Sequence, residues 1–174
     1  MKRVGLISRI AVFSALIYVL GLATVYLPNV NLVFFVVFSA GLMWGLVPGM
    51  LVGAVGMGLW TWFNPYGPAA PPIMIAQVVG AAGSGLVGWR FDRLQWPSFS
   101  SLRLNLTLLA ASVACGLIFF APVTVTDAWL FQPFWERLIL GMPMVGLSVA
   151  ANAVIFLVLF RPVSHLYRME RSRG

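Results

Sequence analysis

Away from the chain ends and one basic loop, the ionisable side chains reduce to Asp127, Glu136 and Arg137. Charge beside hydrocarbon is costly, so such groups are candidates for function and need partners; Asp127 and Arg137 are close enough in sequence to pair across one connection. The alternative is that all three are solvated and only anchor the helix that follows. Two uncharged polar residues, Gln77 and Asn152, stand inside apolar runs. Each could hydrogen-bond a ligand or a neighbouring helix. Gln77 follows a proline-rich break by little more than one turn and is read as a ligand contact, whereas Asn152 is read as helix packing. Trp60, Trp62, Tyr66, Trp129 and Trp135 gather at one set of helix ends. They suit either an aromatic belt at the membrane edge or a stacking surface for a flat heterocycle.

That chemistry is recognition, not catalysis. Lys2 is the only lysine, so a glycine-rich phosphate loop with its lysine is missing. His165 is the only histidine and stands in the basic tail, and Cys115 is the only cysteine and lies in an apolar run. A histidine or thiolate metal site, a disulfide framework and a serine–histidine triad therefore lack their parts. The chain is expected not to be an enzyme, and no metal or cofactor is expected.

The elements that position these residues follow from composition. Of 174 residues, 61% are hydrophobic and 9% charged, with a mean hydropathy of +0.96. This exceeds a soluble domain and predicts an all-α integral membrane protein in one compact bundle. A span takes about 20 apolar residues, so the length allows about six or seven crossings and no soluble domain. Breaks in the apolar runs place six transmembrane spans at about 10–27, 32–46, 48–63, 73–89, 104–123 and 137–160. The first has span length and no convincing cleavage site, so it is read as a retained helix ended by Pro28. Pro65, Pro68, Pro71 and Pro72 remove donors and fix φ, so 64–72 is expected to cross as a loop capping a small-molecule site.

The formal charge of +7 is topological. With six spans, the termini and the even-numbered connections share one side, which then holds every basic residue except Arg137. Lysine and arginine in short loops are retained in the cytoplasm, so both termini are predicted cytoplasmic. Connections 28–31, 64–72 and 124–135 then face outward, where an external ligand would enter. Nucleic acid is not expected as a partner, because the basic residues form no single polar face.

Small residues recur at four-residue spacing: Ala11 and Ala15 with Ser14 beside them; Gly45, Gly49 and Gly53; Ala76, Gly80, Ser84 and Gly88. Such patches let helix backbones approach closely. The later two sets are read as packing the bundle, and Ala11 and Ala15, taken alone, as ordinary packing within the chain.

Six spans in a short chain, Ala11-x-x-x-Ala15 in the first helix, and Phe63-Asn-Pro-Tyr-Gly-Pro68 followed by Gln77 resemble the substrate-binding S components of energy-coupling factor (ECF) vitamin transporters. The resemblance spans essentially the whole chain, through short motifs. It implies a multi-pass protein of the bacterial or archaeal cytoplasmic membrane that binds a vitamin-type small molecule with high affinity. It also implies that Ala11 and Ala15 dock a coupling transmembrane subunit working with two cytoplasmic ATPases. Substrate binding from outside implicates Asn64, Tyr66, Gln77, Asp127, Trp129 and Glu136. The subunit would topple in the lipid to deliver its cargo, and a sparsely charged lateral surface is compatible with that. Nickel and cobalt members carry an N-terminal histidine cluster that this chain lacks, so metal is excluded as substrate. Thiamine, riboflavin, biotin, folate, a corrinoid or a modified base all suit aromatic rings with few polar groups, and scarce charge disfavours folate. The competing readings are a noncatalytic membrane scaffold of a cell-envelope complex and, behind it, an independent channel, which the unbroken apolarity of the spans opposes.

Overall fold

The computed structural model describes residues 3–27 and 30–172. Pro28 and Asn29 of the first connection lie outside the described residues, as do Lys2 and Arg173 of the basic ends. The order is α1 (Arg3–Ala23), α2 (Val33–Trp44), α3 (Leu46–Phe63), α4 (Pro71–Arg93), a 3₁₀ turn (Trp96–Ser98), α5 (Ser101–Leu130) and α6 (Phe134–Ser172), with no strand among the described residues. Five of the helices are long and apolar enough to cross a bilayer; α2, with 12 residues, is shorter. At 1.5 Å per residue it extends about 18 Å against a hydrocarbon core of about 30 Å.

Two expected boundaries move for identifiable reasons. Pro71 and Pro72 open α4 instead of belonging to the loop, because a proline at the first helical position gives up only a donor that has no intrahelical acceptor. Residues 124–130, expected as connection, continue α5. Nothing between Pro122 and Pro133 breaks a helix, and Pro122 itself is absorbed inside α5, as Pro143 and Pro162 are inside α6. A proline within a membrane helix is tolerated where neighbours satisfy the freed carbonyl.

The short helix is the centre. Val33 through Leu42 are buried on every face of α2, as expected of a helix apolar all round. It packs against every other helix, while α1, α3, α4, α5 and α6 follow one another around it in that order. Lipid is as apolar as a side chain, so close packing, more than the hydrophobic effect, holds the bundle together. The glycine rows supply that closeness. A Cβ at Gly88 would lie 1.9 Å from the Phe38 carbonyl oxygen of α2, and one at Gly41 would lie 2.1 Å from the Gly85 carbonyl oxygen of α4. Gly49 and Gly53 of α3 press on Gly41 and on Ala81–Ala82. Gly45 is different: it turns the chain between α2 and α3 at φ +96°, where side chains are disfavoured.

Aromatic rings fill the remainder. Phe38 meets Phe91 at 5.3 Å between centroids, Phe91 meets Phe160 at 5.5 Å, and Trp96 meets Phe160 and Tyr167 at 5.0 and 5.2 Å. At the end carrying the termini, Arg9 of α1 pairs with Glu170 of α6, and the Tyr167 hydroxyl donates to Asp92 of α4. The first and last helices are thereby joined at that end.

Candidate functional site

The opposite end is open, because α2 starts low. Phe34, in its first turn, packs on Phe119 at 4.9 Å between centroids, yet α5 continues to Leu130, about 16 Å further at 1.5 Å per residue. The upper turns of α4, α5 and α6 therefore stand around a space that α2 leaves unfilled.

Two chambers lie at this end of the bundle. The larger, about 330 Å³, lies among α4, α5 and α6 and is lined by Ile73, Gln77, Val123, Thr124, Asp127, Arg137, Met144 and Val145. The smaller, about 260 Å³, lies among α1, the start of α2 and α3, lined by Thr24, Val30, Asn31, Val33, Trp60 and Tyr66. Phe120 and Ser148 line both. Phe120 is fixed from below by Phe34 at 5.7 Å and from the side by Phe119 at 5.2 Å, so it stands as the partition.

Polar groups in the larger chamber are few and pointed. The Gln77 side-chain oxygen is buried and has no hydrogen-bond partner, although a buried amide oxygen normally has one. Asp127, on the last turn of α5, accepts from the Arg137 side chain on the first turn of α6 at 2.6 Å. The guanidinium also lies 4.9 Å from the centre of the Phe131 ring. The pair is half-exposed, cancels its own charge and leaves the chamber mouth close to neutral. In the smaller chamber the Tyr66 hydroxyl donates to the Val25 carbonyl at 3.4 Å, and the Thr24 hydroxyl donates to Leu20 at 2.8 Å. Both hydroxyls keep lone pairs free to accept.

Gln77, Asp127 and Tyr66 are thus brought to the two chambers. Asn64 is not: its amide donates to the Thr61 and Gly67 carbonyls and its oxygen accepts from the Tyr66 backbone. It shapes the loop that carries Tyr66. Trp129 and Glu136 are exposed and line neither chamber, as is true of Trp62 and Trp135. Of the aromatic group only Trp60 and Tyr66 face the smaller chamber. Asn152 is fully buried and donates to the Ser148 carbonyl one turn earlier in its own helix. Ala11 and Ala15 are exposed on α1, whereas Ser14 beside them is buried against α3, donating to the Val52 carbonyl at 3.5 Å. Both alanines therefore lie on the exposed side of α1. Sequence reading did not single out Thr24, Asn31, Phe120, Thr124 or Ser148. Asn31 and Thr124 were covered only as members of the outward connections 28–31 and 124–135.

A model of the ECF-type riboflavin transporter S component family matches residues 2–168. Comparison with curated proteins and with solved structures gave no match.

Proposed function

Because this chain belongs to the family of ECF-type riboflavin transporter S components, and is thus a membrane substrate-binding subunit for vitamin uptake, we propose that its ligand is riboflavin, held with high affinity in the paired chambers. The observation that carries this is the pair itself. Sites for drug-sized ligands are commonly about 300 to 1,000 Å³. One chamber of about 330 Å³ stands at the foot of that range and one of about 260 Å³ just below it, so the two together fit a tricycle with an attached polyol. The neutral Asp127–Arg137 mouth suits an uncharged vitamin.

The chambers open outward in this reading, with both termini in the cytoplasm of a bacterium or archaeon. Ala11 and Ala15, exposed and small, supply the docking stripe for a coupling subunit that works with two ATPases, which energise release to the inside. Asn64, Trp129 and Glu136 keep the entrance in shape and at the interface, and contact between ligand and protein falls on Gln77, Asp127 and Tyr66.

Titrating riboflavin into the detergent-purified chain and following quenching of flavin fluorescence tests the reading. Saturable binding with a matching rise in melting temperature is expected, about 2.7 kcal/mol of stabilisation at a hundred times Kd. Riboflavin that neither quenches nor stabilises, while another vitamin does, would reassign the substrate.

A further inference from the structure

The two chambers differ in chemistry as well as in size. The larger is walled by Ile73, Val123, Met144 and Val145, and carries the buried Gln77 oxygen that has no hydrogen-bond partner. The smaller has Thr24, Asn31 and Tyr66 around it. A flavin is divided in the same way. Its flat tricycle is apolar except for an imide edge, an N3–H donor between two carbonyl acceptors, and its side chain is a run of hydroxyls. A carboxamide complements an imide edge in both directions: the amide oxygen accepts from N3–H while the amide nitrogen donates to a flanking carbonyl.

We propose that Gln77 reads the imide edge of the flavin ring in the larger chamber, while the hydroxylated chain passes Phe120 into the smaller one. This rests on the riboflavin reading above and assigns Gln77 as a specificity-determining residue. The orientation follows from the chambers. The larger, apolar space takes the ring and supplies the donor that the orphaned Gln77 oxygen lacks. The hydroxyls meet Thr24 and Tyr66, whose oxygens each have capacity to accept. Phe120, shared by both walls, then lies against the ring at the point where the chain leaves it.

The test uses the full-length chain in detergent and needs no variant for its first arm. Riboflavin should bind at least about tenfold more tightly than N3-methylriboflavin, because methylation removes the donor and leaves a buried acceptor unmatched. Gln77→Ala should weaken riboflavin by a similar factor and leave N3-methylriboflavin nearly unchanged. Thr24→Val should weaken riboflavin and leave lumiflavin, the same ring carrying only a methyl group, unchanged. Equal affinity of the unaltered chain for riboflavin and its N3-methyl derivative overturns the proposal without disturbing the riboflavin reading. So does a Gln77→Ala variant that loses both ligands alike, or a Thr24→Val variant that loses lumiflavin as much as riboflavin. An unaltered chain that binds no flavin at all overturns the riboflavin reading and this proposal with it.

Discussion

Asp127 and Arg137 show how one contact sets what a site rejects. Arg137 is the one cation lining either chamber among the described residues, and its charge is already taken by Asp127 at 2.6 Å. A flavin bearing a terminal phosphate would find no unpaired cation there, so riboflavin should bind more tightly than its 5′-phosphate. Asp127→Asn frees the guanidinium only in the chamber that holds the ring, away from the chain end, so that gap should stay within about twofold, where one new charge-assisted hydrogen bond to the phosphate would close it by about tenfold. Competition titrations of the two flavins against both forms of the protein would show it, and a gap narrowed about tenfold would place the phosphate beside Arg137 and the chain in the larger chamber. This pair was legible beforehand, because charges are so scarce in the chain that two near each other stand out. Gln77 was legible for the same reason. Thr24, Thr124 and Ser148 were not, since serine and threonine commonly hide in membrane helices by bonding to their own backbone, as Thr24 does to Leu20. Only the tertiary arrangement distinguishes the hydroxyls that also face a cavity. Trp129 and Glu136 show the converse: residue type and position suggested a site, and the faces they occupy lead out to the surroundings.

Between elements, the decisive quantity is backbone separation. Gly88→Ala places a methyl 1.9 Å from the Phe38 carbonyl, and a carbonyl in a central helix cannot step aside as a flexible side-chain tip can. The variant should lose about 1–3 kcal/mol or more from overpacking, seen as a lower melting temperature in detergent. Gly58→Ala, with nothing within 4 Å of its added carbon, should be neutral or gain up to about 1 kcal/mol from helix propensity. Equal melting of the two variants would mean that α2 and α4 are not in contact through Gly88. The glycine spacing in α3 and α4 announced this packing in advance. The same spacing in α1 has another meaning: Ala11 and Ala15 face away from the bundle. Ala11→Leu with Ala15→Leu should leave riboflavin affinity within about twofold and abolish riboflavin uptake by cells. Uptake that survives would remove α1 as the docking surface. Helix ends were harder to read than helix identities, because proline both starts α4 and sits within α5. A sequence shows where proline stands without showing whether neighbours satisfy the carbonyl it frees.

At the scale of the whole molecule, all six helices were legible from hydropathy, and the arginines predict their sidedness. Cysteine labelling checks that sidedness, since the native Cys115 is buried and should stay silent. Pro68→Cys should react with a membrane-impermeant maleimide on intact cells and Ser98→Cys only after permeabilisation; the reverse pattern would turn the molecule over. What hydropathy could not show is that α2, the most apolar helix, is also too short. Its first turn lies about 16 Å beneath the top of α5 by the rise of a helix, and Val33, its first residue, lines the smaller chamber. The central helix therefore acts as a ruler. Adding one turn ahead of Val33 would raise the start of α2 by about 5.4 Å, and removing one would lower it, while the glycine contacts that clamp the rest of α2 to α3 and α4 stayed as they are. A single buried segment whose length is independent of its surroundings gives the same outer frame a way to be refitted to cargoes of different depth.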